Sequence, residues 1–293
     1  MKLSGRKKIL LFGGSGMLGK ELSHSFSGGL YEIIAPSHKE ADLSNQKSVF
    51  NIIRKIKPDI ILNAAVLVNV DLCEENPGLA YAINALGPLF ISDAIRELGL
   101  KSIFVQFSSS DIFGGKFNES PSEKEEKMFP VNVYSRSKYY GEKFLRGAEN
   151  TYIVRSSWIY SEFKKTFVDA VAEHVRKPNG VFAAASDQRG IPTWGKEIAE
   201  NTRFLIEKKY PYGIYHFVPD ASKTDATRFE IAQEVAKILD RKDAKNLFRK
   251  ALRAKVLKAP RPASSVIITT KFPKLSHWKE SLRAFLKEKC LTY

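Results

Sequence analysis

An α/β fold built on a doubly wound parallel sheet is predicted by three features of this chain. Short apolar runs appear without polar alternation, as in strands covered on both faces. A glycine-rich turn follows the first of them directly. Strand and helix signals then exchange regularly through about residue 155, which implies right-handed parallel crossovers.

The first strand is Lys8-Ile-Leu-Leu-Phe12, and Gly13-Gly-Ser15-Gly16-Met17-Leu18-Gly19 leads from it into a helical stretch at Lys20–Phe26. Glycines there let the backbone turn tightly and approach a pyrophosphate resting on the helix N-terminus. The run fits two registers, and the one through Gly13, Gly16 and Gly19 goes with the Tyr/Lys pair described below. A glycine motif placed between a strand and a helix marks a dinucleotide-binding (Rossmann) fold. The second strand, Tyr31–Ala35, ends in Pro36-Ser37-His38-Lys39. NAD-specific sites carry an acidic residue at this point. A hydroxyl, an imidazole and a cation predict NADPH instead, with Ser37, His38 or Lys39 at the 2′-phosphate and NADH left as the alternative. Solvated turn residues would read the same way. Asp42-Leu43 follows, with Asp42 placed either to accept from an adenine amino group or to help cap a helix starting near Ser44.

The third strand, Asp59–Ala65, closes in the small residues Asn63-Ala64-Ala65, which leave room for a ligand at the sheet's C-terminal edge. A helical region at Gly78–Leu98 carries Asn84, a group that needs partners if buried. The fourth strand, Ser102–Phe107, delivers Ser108-Ser109-Ser110. Twenty-five residues after Ser109 come Tyr134 and Lys138, about one helical turn apart and so on one face. A free phenol titrates near ~10. A neighbouring ammonium lowers that value toward the range useful for proton transfer. A serine holding a carbonyl beside such a phenol needs only a hydride carrier to interconvert ketone and alcohol. The chain has three Tyr-x-x-x-Lys pairs, Tyr134–Lys138, Tyr139–Lys143 and Tyr160–Lys164. Only the first has a serine-tipped strand upstream, and Tyr139 lies about 140° round the helix from Tyr134. Thr151–Tyr160 reads as a further strand, Thr166–Arg176, Gly195–Lys208 and Thr227–Leu239 as helices, and Ile214–Val218 as a late strand.

Together these motifs resemble the extended short-chain dehydrogenase/reductase superfamily, and within it the dTDP-4-dehydrorhamnose reductase family. The resemblance runs nearly end to end. It is carried by Asn63-Ala-Ala…Val70-Asp71…Glu74…Pro77, by Arg155-Ser-Ser-Trp158-Ile-Tyr160, by Asp187-Gln188-Arg189-Gly190-Ile191-Pro192-Thr193, and by Arg261-Pro-Ala-Ser264 with the closing Trp278…Leu282…Phe285-Leu286. It implies Ser109, Tyr134 and Lys138 as catalytic residues. It implies Gly13, Gly16, Met17, Leu18, Gly19, Asn63, Ala64, Ala65 and Lys138 around the cofactor, and the residues read above complete the expected cofactor set: Ser15 in the glycine turn, Ser37, His38, Lys39, Asp42 and Leu43 after the second strand, and Tyr134. Val68, Ser110, Asp111, Trp158, Gln188, Arg189, Pro192 and Thr193 fall on the sugar-nucleotide side, with Trp158 either a platform for a deoxysugar or core packing. The family usually reads Ser-Thr-Asp-Tyr-Val-Phe-Asp-Gly where this chain has Ser108-Ser-Ser110-Asp111-Ile-Phe-Gly-Gly115, so the identity of the sugar is open.

The resemblance also implies a two-part organisation. Residues 1–155 with about 188–239 would form the NADP-binding domain, and about 156–187 with 240–293 a smaller, discontinuous substrate lobe. The implied reaction is NADPH-dependent reduction of the 4-keto group of a dTDP-linked 4-keto-6-deoxyhexose. Three alternatives stand beside it. A 4,6-dehydratase would need an Asp-Glu pair after the catalytic hydroxyl, where Ser110-Asp111 supplies one carboxylate. An epimerase–reductase would need a Cys that Ser109–Ile112 lacks. A regulatory subunit, like that of methionine adenosyltransferase, would bind NADP without turnover.

Composition bounds the rest. A length of 293 residues with 43% hydrophobic content suits a globular chain of one large or two joined domains. No apolar run reads as a membrane span, and Met1-Lys-Leu-Ser-Gly-Arg-Lys-Lys does not read as a signal peptide. Cys73 and Cys290 form no disulfide framework, so a cytoplasmic location is expected. No His/Cys cluster has metal-ligand spacing. Of the net charge of +15, about +12 lies between Lys237 and Tyr293, with 16 Lys/Arg against 4 Asp/Glu. That lobe would attract a diphosphate, a nucleic acid or an anionic membrane surface, and for most of its residues a solvated helix face accounts for the charge equally. No aromatic interleaving or named motif points to nucleic acid. The expected partner is a nucleotide sugar, with a homodimer compatible with the resemblance.

Overall fold

The structure is a computed structural model that describes residues 5–116, 118–219, 225–241 and 244–291, without the side chains of 244, 245, 290 and 291. The leader reading at residues 1–4 and the Cys290 side chain lie outside the described residues. In chain order the elements are β1 (Lys7–Phe12), α1 (Met17–Ser25), β2 (Tyr31–Ile34), α2 (Gln46–Ile56), β3 (Ile60–Asn63), α3 (Val70–Glu75), α4 (Pro77–Tyr81), a π turn (Ala82–Leu86), α5 (Gly87–Glu97), β4 (Ile103–Ser109), a 3₁₀ turn (Ser110–Phe113), α6 (Val133–Phe144) and β5 (Thr151–Ser156). There follow β6 (Ile159–Tyr160), α7 (Phe167–Arg176), β7 (Phe182–Ala185), β8 (Arg189–Gly190), β9 (Thr193–Trp194), α8 (Gly195–Glu207), β10 (Gly213–His216), β11 (Ala226–Thr227), α9 (Arg228–Ile238), α10 (Ala244–Leu247), β12 (Phe248–Ala251), α11 (Arg253–Val256) and α12 (Trp278–Leu291).

The chain divides into two compact units. The first takes the chain through Ser108, Val133–Arg155 and Ala199–Tyr215. Its six-stranded sheet runs β10-β5-β4-β3-β1-β2, with β1 parallel to both β2 and β3 and β3 parallel to β4. The order reverses between β1 and β3, and in such sheets ligands bind at the strand ends flanking that reversal. Ile9–Phe12 of β1 and Ile60–Leu62 of β3 are apolar and buried because layers cover both faces. Leu10, Ile61 and Phe104 pack with Val49, Ile53 and Ile91 in one core cluster, and each such side chain contributes about 1.5–3 kcal/mol on burial. By length and composition Pro77–Glu97 would pass for a membrane-crossing helix, contrary to the reading that no run is apolar enough. In the fold it is a layer helix, with Ala80, Asn84, Ala85, Ile91 and Ala94 buried.

The second unit takes Ser109–Asn132, Ser156–Ile198 and the chain from His216 onward. Residues 109–132, 188–198 and 216–239, assigned from sequence to the dinucleotide-binding part, belong here. Three two-stranded sheets, β6–β9, β7–β12 and β8–β11, frame it, and Tyr160, Val171, Trp194, Val235, Leu282 and Phe285 share its core. Two helix starts carry capping boxes, Thr166 with Asp169 before α7 and Thr227 with Glu230 before α9. The strand expected across Thr151–Tyr160 is broken. β5 ends at Ser156 and the chain re-enters a different sheet at Ile159, because Trp158 takes a left-handed backbone conformation (φ 31°) that no strand accommodates.

Candidate functional site

In the first unit the glycine turn is built for close approach. Gly13 sits at φ 77°, and a Cβ there would meet the Ala65 backbone nitrogen at 2.5 Å. A Cβ on Gly19 would lie 2.1 Å from the Gly13 carbonyl oxygen. The Gly16 N–H donates to that same oxygen at 2.9 Å. The register through Gly13, Gly16 and Gly19 is therefore a packing requirement of the turn itself and of the backbone after β3. Helix α1 starts without a side-chain cap and without an acidic residue in its first turn, so its N-terminal N–H groups keep their full pull on an anion. Ser15 is exposed, Met17 half-buried, and Leu18 and Gly19 buried. This cradle fits a dinucleotide pyrophosphate.

The turn after β2 carries a residue missed from sequence. Glu40 accepts from both the Ser37 N–H (2.8 Å) and the Ser37 hydroxyl (2.7 Å), bonds that hold its carboxyl below the usual range. Ser37 thus spends its hydroxyl proton on an acidic neighbour. His38 and Lys39 are exposed. Asp42 accepts from the Ser44 N–H and hydroxyl, chiefly the hydroxyl bond holding its carboxyl low. It closes a local turn, while the cap of α2 is Asn45, which accepts from Ser48. Leu43 is buried against Gly87, so its side chain serves the core.

At the end of β3, Asn63 donates to the Gln106 side chain at 2.7 Å and accepts from the Ala65 N–H at 3.2 Å. Gln106 in turn donates to the Phe107 carbonyl at 2.7 Å. The same carbonyl receives the Lys138 ammonium at 2.6 Å. Lys138 is buried, and burial pushes its pKa down to about 8 against the opposing pull of Glu142. One turn along α6, Glu142 is locked by Arg155 through charge-assisted bonds of 3.0, 3.2 and 2.6 Å, both side chains buried. Asn84 sits in the π turn, a feature common at functional sites. It donates to the Leu67 carbonyl and to Ser137 Oγ and accepts from the Leu67 N–H, tying the loop after β3 to α6. Tyr134 is half-buried. Of the other two pairs, Tyr139 and Tyr140 take Lys143 as a cation over their rings. Tyr160 lies buried in β6, off any helix.

The second unit begins with Ser109. Its Oγ accepts from the Asp111 N–H at 3.2 Å, which leaves the hydroxyl proton free to point at a ligand oxygen. Ser110 is buried, with no partner for its hydroxyl among the described residues. Asp111 accepts from the Ser265 hydroxyl at 2.6 Å. Burial pushes its carboxyl pKa up, opposed by that bond and by the charges of Arg261 and Arg228. The Arg228 guanidinium lies over the Trp158 ring, 3.9 Å from its centroid, and 4.8 Å from that of Phe167. Gly190 lies against the same indole, where a Cβ would come within 2.4 Å. Arg189 pairs with Asp225, Gln188 is buried, and the Thr193 hydroxyl donates to the Ile191 carbonyl at 3.1 Å. Pro192 is buried beside them. Val68 belongs to the first unit and is 55% exposed. Arg228 and Ser265 were not singled out from sequence.

Comparison with known proteins agrees with this layout. The family model described as RmlD substrate binding domain matches residues 7–290. A spore coat polysaccharide biosynthesis protein, SpsK, of Bacillus subtilis is 29% identical over 96% of this chain and 98% of its own. A dTDP-4-dehydrorhamnose reductase of Salmonella typhimurium is 33% identical over 74% of each. Among solved structures, a dTDP-4-dehydrorhamnose reductase from Bacillus anthracis in complex with NADP superposes with a TM-score of 0.88 at 26% identity, covering 97% of this chain and all of that one. A UDP-glucose 4-epimerase of Thermotoga maritima, at 16% identity and a TM-score of 0.78, shares the fold.

Proposed function

The chain belongs to the RmlD substrate-binding-domain family, and from that premise we propose that it is an NADPH-dependent reductase of the 4-keto group of a dTDP-linked 4-keto-6-deoxyhexose. The observation that carries the reading is the Lys138 ammonium, buried in α6 and bonded to a carbonyl of the strand that ends in Ser109. When bound, the nicotinamide supplies the hydride. Ser109 donates its free hydroxyl proton to the substrate carbonyl oxygen and orients it. Tyr134 gives that oxygen its proton. Lys138 lowers the phenol's pKa and binds the nicotinamide ribose. Gly13, Gly16 and the bare start of α1 hold the pyrophosphate, and the small Ala64 and Ala65 leave the nicotinamide end room.

For cofactor choice two observations pull apart. The Bacillus anthracis relative is a complex with NADP. Here, however, Glu40 places a carboxylate on Ser37, at the strand end where an acid favours a ribose diol. NADH is therefore the second reading for the cofactor alone. The test of the main reading is NADPH oxidation by the purified protein with dTDP-4-keto-6-deoxyhexose and NMR of the product sugar. Turnover supports it; NADPH binding without turnover of any keto sugar supports the regulatory alternative.

A further inference from the structure

A guanidinium carries five N–H donors in a rigid fork and never gives up its charge. Arg228 stands at the first position of α9, half-buried. Its flat faces meet Trp158 and Phe167, so the group is fixed by stacking rather than by an acceptor. Among the described residues it makes no hydrogen bond or ion pair. Asp111, the acid whose charge acts on it, accepts a short bond from the Ser265 hydroxyl instead. Arg261 adds a second positive charge that acts on both Asp111 and Arg228. Half-buried and held on the ring, the fork keeps N–H donors that a ligand oxygen can take up. Planar recognition of phosphate or carboxylate is what an oriented arginine does well. Because Gly190 backs the indole and Arg228 overlies it, what Trp158 offers a substrate here is a cation held on an aromatic base rather than a bare ring.

We propose that Arg228, stacked on Trp158, binds an anionic oxygen of the nucleotide-sugar substrate and so selects among sugar nucleotides. The proposal rests on the nucleotide-sugar reading above. It names a phosphate or carboxylate oxygen, and the experiment separates the two. Protein saturated with NADP⁺ is titrated calorimetrically with thymidine, dTDP, dTDP-glucose and dTDP-glucuronate, as wild type, Arg228→Gln and Arg228→Lys. If the partner is the diphosphate, Arg228→Gln weakens dTDP and dTDP-glucose by about tenfold or more and leaves thymidine unchanged. If it is a carboxylate on the sugar, only dTDP-glucuronate loses that affinity. In either case Arg228→Lys, which keeps the charge but not the fork, recovers part of the loss, and NADP⁺ affinity holds in all three proteins, which reports intact folding. Unchanged affinities for all four probes in Arg228→Gln overturn the proposal while leaving the reading intact. A wild type that binds NADP⁺ but none of the thymidine nucleotides removes the reading, and the proposal with it.

Discussion

Lys138 is held by opposing forces that make its charge sensitive to pH. Burial disfavours the ammonium and Glu142 favours it, with burial the larger, leaving a pKa near about 8. The ammonium is present below that value and lost above it. If it is what tunes Tyr134, kcat/KM for ketone reduction stays level at neutral pH and falls as pH rises through about 8 in a profile measured at saturating cofactor. A profile flat to pH 10 contradicts this. Glu142 would itself be a buried uncompensated charge without Arg155. Arg155→Leu is expected to cost about 3–5 kcal/mol in urea unfolding, whereas replacing the pair by two apolar residues is expected to cost less. At the turn after β2, Glu40→Gln removes the only carboxylate bonded there to Ser37 among the described residues. We expect it to tighten NADPH relative to NADH, read as the ratio of the two Kd values; an unmoved ratio places Glu40 outside the cofactor site.

Elements explain what was legible in the sequence. The strands of the first unit announced themselves because a sheet covered on both faces needs continuous apolar runs, and β1, β3 and β4 fall within one or two residues of their expected bounds. The glycine register was readable because the backbone after β3 leaves no room for a Cβ at Gly13 and the turn itself leaves none at Gly19. The break after β5 was hidden, since Ser157-Trp158-Ile159 has strand composition and only the Trp158 backbone angle ends the run. Arg228 was hidden for another reason. An arginine at a helix start reads as solvated, and its stacking partners come from residues 158 and 167, far away in sequence. The catalytic roles of Ser109, Tyr134 and Lys138 came from motif and resemblance and stand as part of the proposal. At this scale Gly13→Ala is predicted to abolish the thermal stabilisation that NADPH gives by mass action. A normal melting shift in that variant counts against the cradle.

Across the whole molecule the chain passes between its two units repeatedly, at residues 109, 133, 156, 199 and 216. The dinucleotide-type sheet is completed by β10, which pairs with β5 after the chain has run through the second unit's segment 156–198. A fragment ending at residue 155 is therefore expected to lack cooperative unfolding and NADPH binding, despite holding the glycine turn, Tyr134 and Lys138. The proposed chemistry is reduction of a nucleotide-linked ketone with Tyr134 as the proton donor. It is tested most directly by following NADPH absorbance with dTDP-4-keto-6-deoxyhexose for wild type and Tyr134→Phe. The account predicts oxidation by the wild type and a loss of about 10²–10⁴-fold in kcat in the variant at unchanged NADPH affinity. Equal rates in the two proteins would contradict it.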